Sequence, residues 1–251
     1  MSKLIKLELL KLKNILIAFF LFSIILSGSL VLIFLHGYSY QYNIEIWSEA
    51  YTLILFLFPI FCTVPTTWLL YYERKNNFIA YSIIRTRPRK YFLSKLFVHC
   101  SYGFIITFIM SMEILLISLY AVEKVGGPPN PISVYQLETF INQPLLYGLI
   151  LSLWRSLLSI LFVIMGFIIS LLFNNIFVIM ILPFIYYIME NIILSMLRLS
   201  YFRILTAIGL ASGDYTSNIE LWYLFIGPGI LVFFTFILSL IAWNKKVFFN
   251  R

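Results

Sequence analysis

Three ionisable residues, Glu113, Arg155 and Glu190, lie inside long apolar stretches of this 251-residue chain, and they are the side chains with the most to do if those stretches sit in lipid. A charged group at the centre of a bilayer costs about 2.5–3.5 kcal/mol or more, so such groups pair, sit in water or serve a function. Counted from the ends of their runs, the three stand at similar depth, about 10–15 Å in at 1.5 Å per residue. The expected arrangement is an Arg155 guanidinium held in bidentate fashion by one carboxylate and bridged by the other, which fixes three helices in register. The alternative is a group that contacts a substrate or moves protons.

Catalytic chemistry has little to work with. His36 and His99 are far apart and lack HExxH or Cys spacing, so a protein-held metal is not expected. Neither a phosphate-cradling loop ending in Gly-Lys-Ser/Thr nor a Gly-x-Ser-x-Gly elbow occurs. Glu113 and Glu190 beside Arg155 would both stay ionised, which does not suit an acid and base pair. Cys62 and Cys100 fall in or at the edge of apolar runs and read as small buried hydrophobes. The chain is therefore expected to hold no catalytic residue, no metal and no cofactor of its own, and not to be an enzyme.

The elements that position these residues follow from composition. Hydrophobic residues make up 62% and charged residues 11%, against roughly 45–50% and about 25% in soluble domains. A soluble fold could not hide that much apolar surface. The 19% aromatic share suits lipid-facing walls and interfacial belts. The net charge of +8 belongs with loops facing anionic lipid rather than with nucleic acid.

Runs of about 20 apolar residues are spanning-helix candidates, because helices and closed barrels alone satisfy their backbone in lipid. Six occur: Ile15 to His36, Tyr51 to Tyr72, Leu96 to Val122, Leu145 to Phe173, Ile176 to Leu197 and Leu221 to Trp243. The first is too long for a signal-peptide core and lacks a small-residue cleavage site, so it reads as a retained span. The expected fold is an all-α membrane protein of six transmembrane helices in one domain, residues 1–251. Pro59, Pro65, Pro183 and Pro228 lie inside runs and predict kinks. Gly126 to Pro131 cannot continue a helix and makes an irregular turn. The stretch Arg198 to Glu220 is too apolar for a free loop and too short for two spans, which predicts an interfacial or re-entrant segment before the last helix.

Charge sets the orientation. Lys3, Lys6, Lys11, Lys13, Arg74, Lys75, Arg85, Arg87, Arg89, Lys90, Lys95, Lys245, Lys246 and Arg251 fall on one side, fourteen of the 18 basic residues. Lys124, Arg198 and Arg203 fall on the other. The positive-inside rule then places both termini in the cytoplasm of a multi-pass plasma-membrane protein.

Two basic segments complete the pattern. Within residues 1–14, Ile5, Leu9, Leu12 and Leu16 share one helical face and Lys3, Lys6 and Lys13 lie off it, which predicts a cytoplasmic interfacial helix leading into the first span. The segment 73–95 opens on Glu73, runs through Phe78-Ile79-Ala80-Tyr81, reaches the cluster Arg85, Arg87, Pro88, Arg89, Lys90, and enters the third span at Tyr91-Phe92-Leu93-Ser94-Lys95.

Position and arrangement resemble the permease subunits of type-2 ATP-binding-cassette transporters. In that family this segment docks onto a separate ATPase, and the likeness covers the whole layout from amphipathic start to outer segment. The chain departs at Asn76-Asn77, where such permeases often carry a small residue and Thr. The resemblance implies an exporter of hydrophobic or amphipathic substrates such as peptides, lipids or drugs. It implies ATP and Mg in a cytoplasmic partner subunit, a second copy or a related permease beside this one, and the lipid bilayer around it. Glu73, Arg85, Arg87, Pro88, Arg89 and Lys90 become the coupling candidates. A basic loop beside anionic headgroups, in an ATP-independent carrier or an immunity or structural membrane protein, is the other reading.

Overall fold

The computed structural model describes residues 2–76, 78–79, 82, 88–123, 125–127, 136–210 and 220–244. Among these there is no strand. The helices are α1 (Ser2–Gly37), α2 (Asn43–Phe56), α3 (Phe58–Lys75), α4 (Pro88–Leu116), α5 (Leu137–Asn142), α6 (Pro144–Leu172), α7 (Ile176–Met196), α8 (Ile204–Ile208) and α9 (Tyr223–Asn244). A π turn, Ile117–Ala121, extends α4, and a 3-10 turn, Ser200–Phe202, precedes α8. Five helices are long and apolar enough to cross a membrane, or six if α2 and α3 together make one bent span. By length and composition this is a multi-pass helical membrane protein.

Helices α4 and α6 form the centre, with α1 and α2 against α4, α3 against α6 and α7, and α9 against α6 and α8. Lipid offers no hydrophobic drive for helices to associate, so close packing at small residues must supply it. The central helices carry those residues. Buried Ser111 of α4 meets buried Ser152 of α6 with hydroxyls 2.8 Å apart. A Cβ on Gly166 of α6 would stand 2.8 Å from Thr67 Cγ2 of α3. Outward-facing positions are the apolar ones instead: Leu21, Ile25 and Ile33 of α1 and Phe233 and Phe236 of α9 are exposed, as helices bathed in acyl chains require.

The second expected span differs from its sequence reading. Helical structure starts at Asn43, earlier than Tyr51, and the path bends by 52° between α2 and α3. Pro59, in the first turn of α3, has no N–H to offer the Leu55 carbonyl. The Tyr187 hydroxyl of α7 donates to that carbonyl at 3.0 Å, beside a backbone N–H at the end of α2. Asn43 lies outside every expected span, yet it anchors the far end of α4: its side-chain amide donates to the Ser118 and Val122 carbonyls at 3.2 and 3.3 Å. Those carbonyls belong to a helix end that otherwise lacks donors.

The first helix is unbroken from Ser2 to Gly37, so the amphipathic start and the first span are one element. Its inward stripe also differs from the expected one. Leu12 is buried, and Ile5 and Leu16 pack on the core, but Leu9 is half exposed and Glu8 is buried in its place. At the other end, α3 and α6 are joined by Arg74, whose guanidinium donates to the carbonyls of Ser170, Leu171 and Phe173 at 2.6, 2.7 and 3.0 Å. A cation on the last carbonyls of a helix complements its dipole as well as its unmade hydrogen bonds.

Candidate functional site

Four charges from three helices meet where α1 begins, α3 ends and α4 begins. Glu8 and Lys11 are three residues apart on α1 and so share a face. Glu73 is in the last turn of α3, and Lys95 lies two turns into α4. Lys11 Nζ reaches Glu8 at 3.1 Å and Glu73 at 2.8 Å. Lys95 Nζ reaches Glu8 at 3.1 Å and also donates to Glu73. Each ammonium thus bridges both carboxylates in a closed, neutral ring of alternating charge.

Burial decides what this ring does. The Lys95 side chain is fully enclosed and the two carboxylates nearly so, while Lys11 is about one-third exposed. Taking such ions out of water is costly, and the cost is offset here because each carboxylate has two cations and each cation two carboxylates. The Phe78 ring lies under the Lys11 ammonium at 4.3 Å, and Tyr91 lies 5.5 Å from that of Lys95. Ile79, Tyr91 and Phe92 join Leu70 of α3 and Phe167 and Leu171 of α6 in a small separate core. The segment between α3 and α4 is thereby tied at both ends, through Glu73 and Lys95, to the first helix.

The coupling candidates divide accordingly. Glu73 belongs to the buried ring. Pro88, Arg89 and Lys90 open α4, where Arg89 and Lys90 are exposed. Arg85 and Arg87 lie outside the described residues.

The structure does not bring Glu113, Arg155 and Glu190 together. Arg155 is fully buried, stacks on Tyr51 at 3.8 Å and on Trp47 at 4.8 Å, and its Nε donates to the Ile208 carbonyl at 2.9 Å. Its neighbour Trp154 donates to the Ala207 carbonyl at 2.8 Å. Glu190 accepts the Ile204 N–H at 3.0 Å. These two charged residues therefore hold opposite ends of the five-residue helix α8, carboxylate at the N–H end and guanidinium at the carbonyl end, as the helix dipole favours. Glu113 turns instead to α1, where Ser23 and Ser27 face its carboxylate; those hydroxyls donate to the Phe20 and Ile24 carbonyls at 2.9 and 3.1 Å. Among the described residues, no ion pair links Arg155 to either acid.

Comparison with protein-family models, with curated proteins and with solved structures gives no match to this chain. Among the described residues, no three His, Cys, Asp or Glu side chains stand close enough to hold a metal ion. Cys62 is buried and contacts the Thr107 hydroxyl at 3.5 Å. Arg155 packs with Trp47 and Tyr51 in the interior, and the charge ring with its exposed basic flank lies where α3 ends and α4 begins.

Sequence reading misses the ring, although a signal is present. Glu8 and Glu73 are the only acids on the strongly basic side of the chain. Two isolated acids among fourteen cations are candidates for buried partners.

Proposed function

We propose that the chain is the transmembrane permease subunit of an ATP-driven exporter built on the type-2 ATP-binding-cassette plan. A separate cytoplasmic subunit supplies ATP hydrolysis with Mg, and two permeases, identical or related, form the path. Both termini lie in the cytoplasm, residues 1–14 are the amphipathic start of α1 on that side, 73–95 docks on the ATPase, and 198–220 is the outer interfacial or re-entrant segment. The substrate is hydrophobic or amphipathic: a peptide, a lipid or a drug.

The observation that carries this reading is the Glu8–Lys11–Glu73–Lys95 ring. A force applied to the 73–95 segment reaches α3 through Glu73, α4 through Lys95 and α1 through both. A solvated loop beside lipid headgroups has no need of such an attachment. The tie of Glu190 and Arg155 to α8 supports the re-entrant assignment, since a short apolar helix inserted among spans needs internal partners for both its ends.

The test is capture of the tagged full chain from its native membrane. An ATP-binding subunit with a phosphate-binding loop should accompany it, and Arg85→Ala, Arg87→Ala and Arg89→Ala together should release that subunit while the permease still inserts. Undiminished transport by the triple variant would overturn the coupling role of the segment. A folded chain purified without an ATP-binding subunit would favour the ATP-independent reading.

A further inference from the structure

An apolar groove of about 520 Å³ opens on the side of the bundle between the start of α4, the last turns of α6 and the end of α9. Exposed Arg89 in the first turn of α4 lines it together with Phe92, Leu96, Ile164, Ile168 and Leu240. Binding sites for small molecules span about 300–1,000 Å³, so the groove is of ligand size rather than a packing gap. Its walls are helices long and apolar enough to cross a membrane, so what it meets from the side is lipid.

We infer that this groove binds one anionic glycerophospholipid, with its phosphate at Arg89 and an acyl chain laid along α4, α6 and α9. Charge complementarity chooses the occupant. Arg89 and its neighbour Lys90 are exposed, and no carboxylate among the described residues pairs with either. The rest of the lining is apolar except for Ser239, whose hydroxyl donates to the Phe236 carbonyl of its own helix. A cation above an apolar trough between spanning helices matches a phosphate above an acyl chain, and basic pockets between such helices on the cytoplasmic side recognise anionic headgroups in this way. A neutral zwitterionic lipid fills the trough equally well but gains less at Arg89. A second copy of this chain would bring its own basic residues to the same rim, which the charge disfavours. The site stands whether or not the chain is a permease, and no ATPase is needed to detect it.

The experiment is native mass spectrometry of the purified full chain after exchange from detergent containing equal phosphatidylglycerol and phosphatidylcholine. The wild type should retain phosphatidylglycerol at least about fivefold over phosphatidylcholine. Arg89→Gln should reduce that ratio to about one, whereas Lys90→Gln, off the groove lining, should leave most of it. Leu240→Trp, at an exposed lining position, should lower retention of both lipids without changing elution on size exclusion. Equal retention of the two lipids by the wild type would overturn the inference, as would equal losses in the Arg89 and Lys90 variants, which mean diffuse surface attraction. A dimer that Leu240→Trp dissociates would assign the groove to a second copy and overturn it too.

Discussion

Lys95 of α4 and Glu73 of α3 are joined by a buried ion pair between residues 22 positions apart in the chain, which fastens the two ends of the segment between them. Glu8 and Lys11 complete the ring and add the first helix to the fastening. Removing one member leaves a buried opposite charge short of a partner, which typically costs about 3–5 kcal/mol.

Lys95→Met should accordingly lower the midpoint of thermal unfolding in detergent, followed by fluorescence size exclusion. Replacing Glu8, Lys11, Glu73 and Lys95 together with Leu and Met should recover much of that loss, because an apolar set of similar volume has no charge to desolvate. The fourfold variant should nevertheless lose transport, since the segment is no longer tied to α1. Recovery of both stability and transport would reduce the ring to a packing device.

The Arg155 arrangement predicts a pattern of couplings. Arg155→Leu with Glu113→Leu should be additive within about 0.5 kcal/mol, the behaviour of residues without shared partners. Arg155→Leu with Tyr51→Leu should couple by about 1–2 kcal/mol, because a desolvated cation–π contact is lost once rather than twice. Rescue of Arg155→Leu by neutralising Glu113 and Glu190 would restore the three-charge cluster expected from depth alone.

Glu190 acts as an acceptor for the Ile204 N–H. Glu190→Gln keeps an acceptor oxygen and should change stability little. Glu190→Leu strands a buried donor and should cost about 1–3 kcal/mol. Equal effects of Gln and Leu, measured as unfolding midpoints, would mean that the charge rather than the acceptor matters.

The bend at Pro59 makes a further pair of variants informative. Tyr187→Phe removes the hydroxyl that serves the Leu55 carbonyl and should cost about 1–2 kcal/mol. In a Pro59→Ala background the backbone N–H restored at that position can serve the same carbonyl, and the cost of Tyr187→Phe should shrink to a small fraction of its original size. An unchanged cost would mean that the hydroxyl acts elsewhere.

The apolar helices are legible in the sequence because lipid imposes length and hydropathy on every segment that crosses it. Asn43 to Ala50 is not, since Glu45 and Glu49 give it the look of a loop. Its burial comes from Ile44, Ile46 and Trp47 packing on neighbours that only the folded chain supplies. The sequence suggests similar depth for Glu113, Arg155 and Glu190, but depth says nothing of the direction in which a side chain leaves its helix. Glu113 points to α1, and the other two point to opposite ends of α8. Glu73 and Lys95 are legible as the borders of one segment; that the borders touch depends on α3 and α4 meeting beside α1.

The proposed point of action of an ATPase subunit on this bundle is the 73–95 segment. A photo-crosslinking phenylalanine analogue at Arg87 of the full chain, irradiated in intact native membranes, reads that contact. An adduct with the mass of an ATP-binding subunit is expected, lost when nucleotide-binding proteins are stripped from the membrane. Adducts confined to lipid, from a chain shown to be inserted and folded, would overturn the proposal.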